Sequence, residues 1–454
     1  MNTRVPFLAA TLASFLFGAC SSEDTSPAHK DPSPIENENN QPGKVARSTL
    51  PRESEPQISE QAKIELVEGH NAFALQMYDL IRKDEGVGEN MFFSPTSMLL
   101  ALSMAYAGAQ GDTANEMKNA LHFALPPEQL AAGFNWLDQT LEGREEAAYK
   151  VAVSEAAKWD LEPPSRDDFR LHIVNSIWGE AKMTFEQPFL DTLARHYDAG
   201  VFLSDFRNNP EVERVRINDW VAEETWDRIQ DLLPPGTIDT MTRTVLVNAI
   251  HLKLPWDEEF RVVDDMSFHR LDGSTMAVPT IANTKYWPYL EEDGLQAVRV
   301  PLKGGNIDLV IIAPAQGQLD AFESRLTTDG FASIFDKMET REVALHLPKV
   351  KFTTPSVSLT SKLQIMGMNV HFTSSADFSG ITKDESLFIS DVVHKAMLGI
   401  DEHGVEAAAA TAVVMAGSGV PDPVDFDVDR PFFVGIVDKT NTVLFAGHIV
   451  DPTK

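Results

Sequence analysis

Few residues of this chain are spaced for bond-making chemistry. Ser418 sits between glycines in Ala416-Gly-Ser-Gly-Val420, but a nucleophile elbow needs glycine two residues before its serine, and Ala416 stands there. The 12 histidines form no His-Glu-x-x-His metal pair, and no phosphate-binding glycine loop occurs. Lys303-Gly-Gly-Asn306 reads as a hairpin turn between two strands. His394 follows Val392 and Val393 in a strand-like run, where a lone histidine reads as a satisfied core residue rather than a base. No catalytic residue, metal or cofactor is expected, and the chain is not expected to be an enzyme.

What the sequence offers instead is a segment suited to movement. Asp401 to Ala416 reads DEHGVEAAAATAVVMA and leads into a Gly/Pro-rich stretch. At a spacing of two, Val405, Ala407, Ala409, Thr411, Val413 and Met415 share one uncharged face, with Glu406 on the other, as in a strand with one buried side. Four consecutive alanines equally favour a surface helix, and Gly404 supplies a hinge, so both readings stay open from these residues alone.

The elements that must position such a segment follow mixed patterns, which gives an α+β class. Helical spacing covers 61–82, 113–123, 127–141, 187–197, 211–231, 317–336 and 358–367. Ser94-Pro95 opens a further helix that is apolar nearly all round to Ala107 and therefore buried. Strand-like runs lie at 170–179, 242–254, 295–302, 307–313, 343–352, 387–400, 431–438 and 442–450, several of them apolar on both faces. Residues 143–168 read as a surface insertion.

The pattern Glu402, Gly404, Val405, Glu406, Ala407, Ala408, Ala409, Ala410, Thr411 resembles the reactive-loop hinge of the serpins. Phe426-Asp-Val-Asp-Arg-Pro-Phe-Phe-Val434, Phe93-Ser-Pro-Thr-Ser-Met98, Asn218-Asp-Trp-Val221, Val245-Leu-Val-Asn-Ala249, Leu347-Pro-Lys349 and Ser390-Asp-Val-Val-His-Lys395 continue the resemblance in family order over 61–454. It implies one large domain of eight or nine helices and three sheets, with an exposed reactive loop at about 401–425. It also implies roles for particular residues. Ser94, Ser97, Asn248 and His394 would form a polar cluster beneath the centre of the main sheet. Trp256 would stand where the loop enters that sheet, beside a Glu402–Lys349 ion pair. The implied function is suicide inhibition of serine proteases.

The resemblance places the scissile bond after Ser418, before Gly419, when counted from the hinge, and near Val420 when counted back from Pro431. No Lys or Arg occurs between Asp401 and Asp429, which argues against trypsin-like targets and for elastase-like or subtilisin-like ones with small pockets. From Gly404 to Ala416 there is no proline and one charge, Glu406, as insertion requires. A non-inhibitory binding or carrier protein and a cysteine-protease inhibitor are the alternatives.

Residues 1–19, with Arg4, an apolar run from Val5 to Phe17 and small residues before Cys20, read as a signal peptide. Cys20, the single cysteine, reads as a lipidation site of the bacterial lipoprotein kind, the alternative being plain cleavage near Ala19. Residues 20–60, poor in aromatics and rich in Ser, Pro, Asn and Glu, read as a disordered tether from a cell envelope. Net charge is −30; residues 1–60 hold five basic and eight acidic side chains, which leaves −27 on 61–454. That argues against nucleic acid as a partner, and the helix near 126–141, without Lys or Arg, argues against glycosaminoglycan. A monomer is expected.

Overall fold

Ser94 and Pro95 begin the helix on which the fold is built. The Ser94 hydroxyl accepts the Ser97 N–H at 3.2 Å, and Pro95 occupies the first turn, where its missing N–H costs nothing. All 12 residues of Pro95–Tyr106 are buried. The helix touches the strands Arg170–Glu180, Thr244–Pro255 and Val443–Ile449. The computed structural model describes residues 41–85, 88–406 and 422–454, which hold nine α-helices.

The expected three sheets appear as two hydrogen-bonded networks of nine strands each. Two sheets merge because the strand Thr275–Glu292 pairs with Arg261–His269 and Glu339–Pro348 along most of its length and with Leu295–Pro301 at its end. In the other network, the strand Thr244–Pro255 is central. Its Leu246, Ile250, Leu252 and Leu254 join the main core. Its Val245, Val247 and Ala249 join a second cluster with Ile217, Val221, Ile229, Leu232 and Leu233. A strand covered on both faces reads as a continuous apolar run, as this one does.

Two expectations need correction and a third takes a definite form. The tether assigned to 20–60 is too long: residues 41–60 are ordered on the body, while 20–40 lie outside the described residues. Val45–Ala46 adds an antiparallel edge strand to Val201–Ser204, and Gly200 makes room for it, since a Cβ there would lie 2.7 Å from the Ala46 carbonyl. Arg52 then bonds Asn135 and Glu142, each at 2.9 Å, and Asp138 at 2.5 Å. Polar contacts and one edge pairing hold this segment, together with the buried Val45 and with Ala46 and Ile58 packed on the main core.

Residues 143–158 of the surface insertion are the second half of one helix, Pro127–Lys158, in which Ala148 is buried. It lies against the Lys303–Asn306 turn, where Gly304 sits at φ +85° and a Cβ would come within 2.9 Å of Ala148 Cα. The helix read at 211–231 ends at Glu224, because Trp226, Asp227 and Asp231 adopt left-handed φ.

Candidate loop-insertion site

The functional question centres on one side of the strand Thr244–Pro255. At its lower end Leu246 and Val247 pair in parallel with Val392 and Val393. At its upper end Leu254 and Pro255 pair with Val405 and Gly404 instead. Val405 also pairs with Ile400 of the strand Met397–Ile400. Among the described residues, 248–253 have no strand register on this side, and this stretch forms a slot bounded below by Val392 and Val393 and above by two hinge residues.

The floor of the slot is polar and satisfied. His394 Nδ1 lies 2.7 Å from Asn248 Oδ1, and His394 Nε2 accepts the Ser94 backbone N–H at 3.1 Å. Because the amide must donate to Nε2, the ring proton is on Nδ1 and the ring is neutral. Burial pushes its pKa down to about 3, in agreement. Ser97 Oγ reaches Asn248 Oδ1 at 3.4 Å, and Ser94 Oγ donates to the Leu444 carbonyl at 2.8 Å. The structure thus brings Ser94, Ser97, Asn248 and His394 together, spanning the buried helix, the central strand and its lower neighbour.

The top of the slot is built around Trp256. Its indole donates to the Asp401 carbonyl at 2.8 Å and its backbone N–H to the His403 carbonyl at 2.9 Å. The ring is 1% exposed and packs on Phe260, whose own N–H donates to the Glu402 carbonyl at 3.0 Å. Lys349 Nζ meets Glu402 at 2.5 Å, both side chains being about a quarter exposed. Burial raises the Glu402 pKa, but the Lys349 hydrogen bond and charge outweigh it and leave the carboxyl below its ordinary value. Trp256, Glu402 and Lys349 therefore meet at the turn 401–403, from which the hinge enters the sheet.

Both ends of the 401–425 range expected as an exposed loop belong to sheets. Gly404 and Val405 are buried in the sheet, and Val424–Asp427 pairs in parallel with Val343–His346. Ala407, Ala408, Ala409, Ala410, Thr411, Ser418, Gly419 and Cys20 lie outside the described residues. Glu406 is described and bends away from the strand at φ +49°. Its carboxylate pairs with Arg228 and lies 2.9 Å from His251 Nε2. Burial pushes its pKa up, but the bond to His251 and the Arg228 charge prevail, leaving it lowered. Neither partner was legible in the sequence: His251 needs the strand register, and Arg228 lies in the irregular turn after Glu224. No cluster of potential metal ligands occurs among the described residues.

Comparison with known proteins gives a consistent result. A family model described as "Serpin (serine protease inhibitor)" matches residues 68–452. An uncharacterised serpin-like protein of Thermococcus kodakarensis is 33% identical over 429 residues, covering 93% of this chain and 94% of that relative. Human serpin B3 is 32% identical, covering 85% of this chain and 99% of its own length. The crystal structure of human thyroxine-binding globulin complexed with its hormone superposes with a TM-score of 0.74 at 26% identity, covering 87% of this chain and 100% of that one.

Proposed function

The chain belongs to the serpin family, and we propose that it is an inhibitory member that traps serine proteases as a suicide substrate. One observation carries this reading. Gly404 and Val405 already form the first rungs of a strand between Leu254–Pro255 and Ile400, in a register that leads down the open side of residues 248–253. Of the residues that would follow, Glu406 is charged, while Ala407 to Ala416 are uncharged and free of proline. Strand addition to a sheet draws its energy from main-chain hydrogen bonds and from pockets for alternate side chains, and serpin loop insertion is a known case of it.

In the proposed sequence of events the protease serine attacks the carbonyl of Ser418. The bond to Gly419 breaks and an acyl-enzyme ester forms. The freed hinge half then enters the slot and carries the acylated protease with it before water cleaves the ester. All the bond-making belongs to the protease. This chain supplies a bait, a slot and a strand. The small residues around 418 suit elastase-like or subtilisin-like pockets. We further propose secretion and attachment to a cell envelope through a lipid on Cys20.

Mixing the protein with an elastase and with subtilisin tests the reading directly. A band at the summed mass that survives SDS, with the cut mapped between Met415 and Val420, supports inhibition; clean cleavage by both without such a band contradicts it for these targets. The structural likeness to thyroxine-binding globulin supports the second reading, a carrier. A carrier would be cut without complex and without a gain in thermal stability.

A further inference from the structure

The short strand of Gly404 and Val405 ends at Glu406, whose φ of +49° departs from strand geometry. For a side chain with a Cβ that conformation is unfavourable and needs something to hold it. The holding groups are on the page. Glu406 pairs with Arg228, from the turn after the helix Pro210–Glu224, and with His251 Nε2 at 2.9 Å, from the central strand. The Glu406 side chain is 13% exposed and that of His251 6%. The Glu406 N–H also donates to the Gly399 carbonyl at 3.0 Å, so the turn is fixed from the neighbouring strand as well.

Register shows what this arrangement does to a strand trying to lengthen. Gly404 faces Pro255 and Val405 faces Leu254. An extended residue 406 would therefore face Lys253, on the same side of the sheet as His251 but one step short of it. The bent Glu406 instead sends its carboxylate ahead, onto the row that its successors must occupy. Lys253 is no substitute partner, because it is already paired with Asp168 at 2.9 Å and donates to the Asp167 carbonyl at 3.0 Å. The surrounding groups are likewise engaged. Trp226 lies over His251 and His172 at 5.5 Å from each, Arg170 stacks on Trp226 at 5.0 Å, and His172 meets Glu224 at 3.3 Å.

We propose that the Glu406–Arg228–His251 contact is a brake that holds the hinge at two inserted residues and must release before the loop can go further. This rests on the inhibitory reading, since a loop that never inserts needs no brake. The brake slows spontaneous insertion of the uncut loop, which would consume the inhibitor, while cleavage frees enough insertion energy to override it.

The test compares the intact full-length protein with Glu406→Gln, Arg228→Ala and Arg228→Lys. Each is held a few degrees below its unfolding midpoint, and loss of loop susceptibility to added subtilisin is followed with native gels. Arg299→Ala, which breaks the 2.7 Å pair with Asp308 on the other strand network, controls for general loosening. Charge-assisted hydrogen bonds of this kind predict that Glu406→Gln and Arg228→Ala convert to the protected form about ten times faster or more. Arg228→Lys should fall between them and the parent, and Arg299→Ala should match the parent. Equal conversion rates for the parent, Glu406→Gln and Arg228→Ala would overturn the brake. Cleaving the parent at the loop separates the two failures: if the cleaved parent gains thermal stability while the variants convert no faster, only the brake is lost. If the cleaved parent gains none, the inhibitory reading falls and the brake with it.

Discussion

Asn248 and His394 face each other at 2.7 Å across the closed end of the slot, with the histidine neutral and its second nitrogen bound to the Ser94 amide. A buried polar cluster with every member paired is stable in one arrangement and costly in any half-paired one. Replacing His394 by Ala leaves the Ser94 N–H without its acceptor and Asn248 Oδ1 with only the Ser97 hydroxyl at 3.4 Å. A loss of about 1–3 kcal/mol of unfolding free energy is expected, read from urea midpoints.

The same histidine sets a pH dependence. Its folded pKa lies near 3, against about 6.5 for an unfolded histidine. The unfolded chain therefore binds the extra proton first, and the His394 contribution to stability is complete above about pH 6.5 and lost as the pH falls toward 3. His70, pushed down to about 4 by burial, acts in the same direction. Between pH 7 and pH 5 the parent should lose more stability than His394→Gln, by on the order of 2 kcal/mol. Equal slopes would remove His394 from this account.

Val405 is 2% exposed and pairs with Leu254, which faces the main core. Val405→Arg places a charge where no partner stands, and burying an unpaired charge is strongly unfavourable. The native fold should survive by expelling two hinge residues, while complex formation with a protease gives way to plain cleavage. The ratio of trapped to cleaved protein on denaturing gels measures this.

Lys349→Ala removes the ion pair with Glu402 at the top of the slot. Both groups are partly exposed, so the loss in equilibrium stability should stay below about 1 kcal/mol. Arg52→Ala should cost more, about 1–3 kcal/mol, because Arg52 ties the N-terminal segment to Asn135, Asp138 and Glu142 with a side chain only 17% exposed. Thermal melts of the two variants side by side would show the order reversed if the N-terminal segment were a loose tether.

Much of this arrangement was legible in the sequence because its signals are local. Ser94-Pro95 announces a helix start, the run 242–254 announces a strand buried on both faces, and the hinge pattern at 402–411 carries its own periodicity. The family resemblance named Ser94, Ser97, Asn248, His394, Trp256, Lys349 and Glu402, and the structure brings them into two groups at the ends of one slot. What was not legible depends on partners far along the chain. Strands Arg261–His269 and Thr275–Glu292 carry many exposed polar residues, which hides their alternation. Residues 41–60 carry only scattered apolar residues and are held by Arg52, Ser48, an edge pairing to Phe202 and the packing of Val45, Ala46 and Ile58. The second half of the helix Pro127–Lys158 packs on a turn more than 140 residues away, through Arg144 with Asn306 and Ala148 with Gly304.

The most direct measurement is the melting temperature of the protein before and after a single cut in the loop. Insertion of the freed hinge as a full strand predicts a rise of about 10 °C or more, with the cleaved chain resisting further proteolysis. An unchanged or lower melting temperature after complete cleavage between Met415 and Val420 would contradict the account, because the slot would then not accept the strand.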